Sequence, residues 1–222
     1  MPISLPLPMP QIRAWLFDLD GTLIDTDDQA IMRLQKRLHV FGRHARGLAR
    51  RLVMWSEGPT NALVTFFDLL GLDPLLFALN QRLGWKDDEG FHIIPGVIPM
   101  LEALARHYTL GIVSTRSRAA ALSFLEQYHL TDLFSLIVTR EDTKRLKPHP
   151  EPLHYALEHL GLTPEACVMV GDTPVDIQAA RRARMWSLGV LCGFGDLRDL
   201  QRAGSHAILP CTADLIHFIQ PE

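Results

Sequence analysis

The stretch Phe17-Asp18-Leu19-Asp20-Gly21-Thr22 closes the apolar run from Ile12 to Phe17, and the fold turns on how it is read. Ile12, Ala14, Trp15, Leu16 and Phe17, broken only by Arg13, read as a short buried strand. A buried strand that ends on two carboxylates is a costly arrangement, because such groups lose hydration unless something compensates them. A divalent cation is the natural compensation, since hard cations take oxygen ligands from Asp. Side chains alternate along a strand, so Asp18 and Asp20, two apart, can face one crevice. The plainer reading is a polar strand exit with Asp20-Gly21 as a turn. Three later stretches count against it.

Downstream of Thr22 the pattern turns helical. Asp25-Thr26-Asp27-Asp28 supplies a cap and first-turn acids, and Ile31, Leu34 and Leu38 follow at helical spacing. Helical character continues, with Gly and Pro punctuation, to about Phe91, and no strand pattern interrupts it. From Pro95-Gly96 the rhythm becomes helix and strand in alternation. Helices are predicted over Val97 to His107, Ser117 to Tyr128, Glu151 to Leu160 and Asp176 to Ala183. Strands are predicted over Tyr108 to Val113, Leu136 to Val138, Ala166 to Val170, Trp186 to Val190 and Ala207 to Leu209. This alternation implies an α/β, Rossmann-like, mostly parallel sheet with helices on both faces and a small all-α cap inserted after the first strand. The expected division is a flexible tail at 1–10, a catalytic core from 11–25 and 92–222, and a helical cap at 26–91.

In open parallel sheets the functional groups collect at the carboxyl ends of the strands. Those ends carry Asp18 and Asp20, then Ser114 and Thr115, then Asp172, with Lys147 in a loop among them. Three carboxylates, a lysine and a hydroxyl around one crevice suit phosphoryl transfer, which needs an in-line nucleophile, a metal and donors for the equatorial oxygens. A carboxylate can itself be the nucleophile and form an aspartyl-phosphate.

The rest of the chain narrows the class. At 222 residues, with 47% hydrophobic and 21% charged residues, it suits one large domain or a core with a smaller insertion. A net charge of −3 points to no bulk attraction for nucleic acid or membrane. No apolar run reaches membrane-spanning length. The start, MPISLPLPMPQIR, is apolar but Pro-rich and lacks a basic leader, so a tail is expected rather than a signal peptide. Cys167, Cys192 and Cys211 lie far apart without Cys-x-x-Cys spacing, which suggests neither zinc nor a disulfide framework and points to a reduced, cytoplasmic protein. The usual Gly-rich dinucleotide and nucleotide fingerprints are missing.

The ordered motifs resemble those of the haloacid dehalogenase superfamily, in its phosphoglycolate phosphatase and β-phosphoglucomutase-like branch with a small helical cap. DLDGT at Asp18 to Thr22 resembles the first motif, VSTRS at Val113 to Ser117 the second, LKPHPEP at Leu146 to Pro152 the third and GDTPVD at Gly171 to Asp176 the fourth. The resemblance implies Asp18 as nucleophile and Asp20 as acid and base. It implies Ser114 as a phosphoryl contact and Lys147 as the partner of nucleophile and phosphate. It also implies Mg²⁺ held by Asp18, the backbone carbonyl of Asp20 and Asp172, with Asp176 in support. Asp20 favours phosphate chemistry over dehalogenation, because the dehalogenase branch lacks that second acid. The implied activity is hydrolysis of a small phosphorylated metabolite of the phosphoglycolate or sugar phosphate type.

Two positions depart from the family pattern. Thr115 stands where related phosphatases commonly carry Asn, which touches a secondary substrate contact. Arg184 precedes Met185 where the family often has Gly, at a cost on the order of 1 kcal/mol if the backbone there needs positive φ. His149 reads as a loop residue and Trp15 as core packing. In the expected cap, no acid stands between Asp28 and Glu57, while Arg33, Lys36, Arg37, Arg43, Arg46, Arg50 and Arg51 are basic. That run is either a solvated face or a reader of an anionic leaving group, for which Arg46 and Arg50, one helical turn apart, are the candidates. Three competitors stand beside the phosphatase. A phosphomutase uses the same residues. A receiver-like switch expects its phosphorylated Asp on a later strand than its paired acids, and a silent interaction protein would have lost a motif residue. Sequence leaves the oligomeric state open.

Overall fold

The computed structural model of the chain describes residues 7–25 and 90–218. By its contacts the chain divides into Met1–Thr26 with His92–Glu222 as one compact unit and Asp27–Phe91 as another. The cap expected at 26–91, with Arg46 and Arg50, lies outside the described residues apart from Gly90 and Phe91. So do residues 1–6 of the expected tail. Leu7 is buried, and Met9–Gln11 forms a turn of 3-10 helix.

Among the described residues six parallel strands build the sheet: β1 (Ala14–Phe17), β2 (Thr109–Val113), β3 (Leu136–Val138), β4 (Cys167–Gly171), β5 (Trp186–Val190) and β6 (Ala207–Leu209), in the order β3-β2-β1-β4-β5-β6. The strand order reverses direction at β1, which places a crevice at its carboxyl end. Leu16 aligns with Gly111 of β2 on one side and Met169 of β4 on the other.

Five helices accompany the described strands. In α1 (Val97–Ala105), Val97, Met100, Leu101 and Leu104 recur at helical spacing and are buried. α2 (Arg118–Gln127) starts where Ser117 accepts the Ala120 N–H at 3.2 Å. α3 (Glu151–Leu160) ends at Gly161 with φ 64°. α4 (Pro174–Arg182) begins two residues earlier than the sequence reading, because Thr173 and Asp176 form a reciprocal capping box. α5 (Leu197–Ala203) is absent from the sequence reading. It has seven residues and buries only Leu200 and Ala203, so its apolar period is too short to register. Its signals are Asp196, which accepts the Asp199 N–H at 2.9 Å, and Gly204 after its last residue.

α3 and α4 pack on the sheet face made by Ala14, Leu16, Cys167 and Met169. The alternate residues Trp15, Phe17, Val168 and Val170 are equally buried, so both faces are covered. Trp15 is core, as expected, with its ring edge-on to Tyr108 at 6.1 Å. Arg184 has φ 60°, the left-handed backbone in which a Cβ costs roughly 1 kcal/mol or more.

Candidate active site

The carboxyl ends of β1, β2 and β4 converge on one buried cluster. Asp18 follows β1 directly, and its N–H continues the ladder by donating to Val170 O at 3.0 Å. Leu19 turns inward and is fully buried, while Asp20 on the other side of the alternation is only partly buried. Gly21 then takes φ 67°. A Cβ at Gly21 would collide with the Asp172 carboxylate, so the turn needs glycine for space as well as for conformation.

Asp172 lies one residue past β4 and is fully buried. Its Oδ1 accepts the Thr22 hydroxyl at 3.2 Å and its Oδ2 accepts the Phe194 N–H at 2.8 Å. The loop bearing Phe194 comes close because Gly193 and Gly195 have no Cβ to strike Asp172. Lys147, 5% exposed, reaches in from the loop before α3, where the Lys147–Pro148 peptide is cis. Its ammonium donates to Asp18 Oδ1 at 2.8 Å, Asp176 Oδ1 at 2.6 Å and the Val113 carbonyl at 2.8 Å. All three of its protons are thereby directed. Asp176 Oδ2 accepts from both the N–H and the hydroxyl of Thr173, so both Asp176 oxygens are engaged.

Candidate ligand oxygens of Asp18, Asp172 and Asp176 all lie within 4.8 Å of one another. Burial raises the Asp18 carboxyl to about 7, with the Asp176 and Asp20 charges adding to the rise and Lys147 opposing it. Burial also raises Asp172 well above its ordinary value, helped by Asp176 and Asp18. Burial alone would lower Lys147, but the Asp176 and Asp18 charges outweigh it and hold the ammonium above its ordinary value. One ammonium does not neutralise three carboxylates. An all-oxygen, anionic, buried donor set with excess negative charge fits a hard divalent cation.

Asp20 does not join this cluster. Arg116 grips it from the loop after β2, through Nε to Oδ2 at 2.7 Å and an Nη to Oδ1 at 2.6 Å. Sequence reasoning passed over Arg116. Its only signal is its place inside VSTRS, two residues after Ser114. Ser114 stands at the end of β2, its N–H bonded to Val138 O at 2.9 Å. Its Oγ accepts the Arg116 N–H at 3.2 Å, which leaves the hydroxyl proton to donate elsewhere. Thr115 beside it is half-buried. His149 is a loop residue, its Nδ1 accepting the Glu151 N–H at 3.2 Å. Among the described residues no helix is long and apolar enough to cross a membrane.

The sequence profile of the haloacid dehalogenase-like hydrolases matches residues 15–190. The chain is 32% identical to the pyrophosphatase PpaX of Oceanobacillus iheyensis over 94% of its own length and 97% of that protein. It is 30% identical to a phosphoglycolate phosphatase of Salmonella typhi, with 82% of each chain covered. Among solved structures, a haloacid dehalogenase-like family hydrolase from Streptococcus pneumoniae superposes with a TM-score of 0.69 at 26% identity, covering 96% of this chain and all of that one.

Proposed function

The chain belongs to the haloacid dehalogenase-like hydrolases, and from that premise we propose that it is a Mg²⁺-dependent phosphatase. It would hydrolyse a small phosphorylated metabolite of the phosphoglycolate or sugar phosphate type through an aspartyl-phosphate on Asp18. The observation that carries this reading is the buried cluster itself, in which Lys147 bridges Asp18 and Asp176 while Asp18 Oδ2 meets no donor among the described residues. That oxygen is the one left to attack.

Each side chain then has a task. Lys147 holds Asp18 in one rotamer and meets the charge that arrives with the phosphoryl group. Asp176 holds Lys147. Ser114 offers its hydroxyl proton to a phosphoryl oxygen, and Thr115 lies beside it as a second contact. Asp20, oriented by Arg116, protonates the leaving oxygen and then takes a proton from the water that opens the aspartyl-phosphate. Asp18, Asp172 and the backbone carbonyl of Asp20 would hold the cation, with Asp176 in support. When bound, Mg²⁺ supplies positive charge against the phosphoryl oxygens and lowers the repulsion that Asp18 meets.

Residues 26–91 are proposed as the cap, with Arg46 and Arg50 as readers of a second anionic group on the substrate. The protein is read as cytoplasmic because its three cysteines are free. A second reading has a specific observation behind it: relatives named pyrophosphatase match over nearly the whole chain, so inorganic pyrophosphate is the competing substrate. A phosphomutase would use the same residues but return the phosphoryl group to its substrate. Release of inorganic phosphate with Mg²⁺ from phosphoglycolate, hexose phosphates and pyrophosphate separates these readings. Preference for the first two, with Arg46→Ala or Arg50→Ala raising KM for phosphoglycolate but not for p-nitrophenyl phosphate, supports the leading one. Preference for pyrophosphate selects the second, and isomerised hexose phosphate without free phosphate selects the mutase.

A further inference from the structure

A pair of thiols stands against the loop that positions Asp172. β5 and β6 align Val190 with Leu209, and the Leu191 N–H donates to Leu209 O at 3.1 Å. Cys192 and Cys211 each lie two residues beyond the Val190–Leu209 pair, so the register carries them side by side at the carboxyl edge of the sheet. Adjacent strands run about 4.8 Å apart, inside the roughly 4.4–6.8 Å Cα separation that a disulfide spans. Both cysteines are free and half-buried, whereas Cys167 is fully buried in β4.

The Cys192 S–H has several acceptors and one proton. It faces Gly21 O at 3.6 Å, Thr212 Oγ1 at 3.5 Å and the Cys211 sulfur. Thr212 has committed its own proton to Thr22 O at 2.6 Å. The contact from Cys192, with the backbone N–H groups of Ala213 and Thr212, lowers the Cys211 thiol to about 6 against the effects of burial and Asp214. The same contact pushes the Cys192 thiol up. The two shifts run in opposite directions, toward the thiolate at Cys211 and toward the protonated thiol at Cys192. Reactive cysteines are those with thiolate character and solvent access.

Cys192 is also mechanically tied to the site. Gly193, next in sequence, packs against Asp172 and the Gly21 carbonyl too closely for a Cβ, and Phe194 supplies the N–H held by Asp172 Oδ2. A covalent bond at Cys192 acts on this three-residue loop.

We propose that Cys192 and Cys211 are a peroxide-sensitive pair whose disulfide slows turnover by withdrawing the Cys192 S–H from Gly21 O, in the turn packed on Asp172. The Cys211 thiolate attacks one oxygen of hydrogen peroxide, the O–O bond breaks, and the departing hydroxide takes up a proton to leave as water. The Cys192 sulfur then attacks the resulting sulfenic sulfur, and the S–O bond breaks. The departing oxygen leaves as a second water, with the Cys192 proton. Two thiols lose two electrons, one peroxide becomes two waters, and a dithiol reverses the change. The effect on turnover rests on the phosphatase reading; the disulfide does not.

The full-length protein is treated with hydrogen peroxide, and its intact mass, peptide map and Mg²⁺-dependent hydrolysis of p-nitrophenyl phosphate are followed. The expected result is a loss of about 2 Da, the two thiol hydrogens, in a single chain. The map links Cys192 to Cys211, and turnover falls roughly tenfold or more until dithiothreitol restores it. Cys211→Ser keeps its basal turnover after peroxide, and Cys167→Ser responds as the wild type does. Oxidation of Cys211 alone to sulfinic or sulfonic acid, a cross-link only between chains, or a Cys192–Cys211 disulfide with unchanged turnover overturns the proposal. If the reduced protein releases no phosphate, the phosphatase reading fails by itself. The Mg²⁺-induced rise in Tm then reports on the Asp172 loop, and its persistence in the disulfide form overturns the proposal.

Discussion

At the carboxyl ends of β1 and β4, one lysine faces three carboxylates; at the carboxyl end of β3, an arginine and a threonine face two. In the second cluster Asp142 accepts the Thr139 N–H at 2.7 Å, the Thr139 hydroxyl at 2.7 Å and both-oxygen contact from Arg118 at 2.7 and 2.8 Å. Glu141 accepts the Arg118 N–H at 2.6 Å. The residue types are nearly those of the buried cluster, yet the acids respond oppositely. Burial raises Asp18 to about 7, and the neighbouring acids add to it. Burial would raise Asp142 as well, but the Thr139 bonds and the Arg118 guanidinium outweigh it and hold the carboxyl below its ordinary value. What separates them is the ratio of donors to acids and the access of water. The β3 cluster pairs its acids with the Arg118 and Thr139 donors. The buried one retains unmet charge and an open carboxylate oxygen, which is what a site for cation and phosphate requires.

The largest expected effect tests whether the open oxygen is the reactive one. Asp18→Asn should lower phosphate release by on the order of 10⁴-fold or more with Mg²⁺ present, since an amide forms no acyl-phosphate. Near wild-type turnover would remove Asp18 from the chemistry. Asp20 stands between the two clusters in character, partly exposed and fully paired by Arg116. Asp20→Asn should cost roughly 10²–10⁴-fold for poor leaving groups and less for p-nitrophenyl phosphate, which needs little protonation. Equal losses for both would deny it the acid role.

Lys147→Met probes the imbalance directly. Removing the base that bridges Asp18 and Asp176 leaves the acids facing each other and should destabilise the metal-free protein by about 3–5 kcal/mol in urea unfolding, with partial recovery on adding Mg²⁺. A loss under about 1 kcal/mol would mean that the cluster is balanced some other way.

The pH dependence should differ in sign between the clusters. Asp18 sits near 7 in the folded chain against 3.8 as the ordinary value. Between those values the folded state binds a proton that the unfolded state has released, so this group's contribution to stability falls as pH rises from about 4 to about 7. Asp142 is lowered, so its contribution is present above the ordinary value and is lost as pH falls through its folded pKa. Urea unfolding of the metal-free protein across pH, wild type against Asp18→Asn, reads the first effect. A mutant that keeps the same decline over pH 4–7 would assign it elsewhere. The smallest effect closes the comparison: Arg118→Ala should cost about 0–1 kcal/mol, because its side chain is 45% exposed, and should leave turnover unchanged.

Local pattern carried most of the fold. Strand runs such as Cys167 to Gly171 are buried on both faces and therefore read as unbroken apolar stretches. α1 shows its face at helical spacing. α5 was illegible because seven residues give the period too little length, although Asp196 and Gly204 marked its ends. α4 starts two residues before Asp176 because the Thr173–Asp176 capping box sets its first turn, and an apolar period does not register a cap. Strand ends point to Asp18 and Asp172, with Lys147 in a loop among them, the resemblance of the fourth motif adds Asp176, and the structure brings the four side chains together. The Arg116 grip on Asp20 was not legible, since a charged loop residue has no period and its partner lies 96 residues away.

The sequence by itself determined which residues end the strands, because alternation and apolar runs are properties of consecutive positions. It also determined the chemistry those ends carry, because a carboxylate or an ammonium is the same group in any fold. Only the tertiary structure decided which acid faces which base. Asp18, Lys147 and Asp176 meet across separations of 129 and 29 residues, and Cys192 comes against Gly21 across 171. Whether a carboxyl is raised or lowered depends on the donors and the water around it in space, and neither is written in its neighbours along the chain.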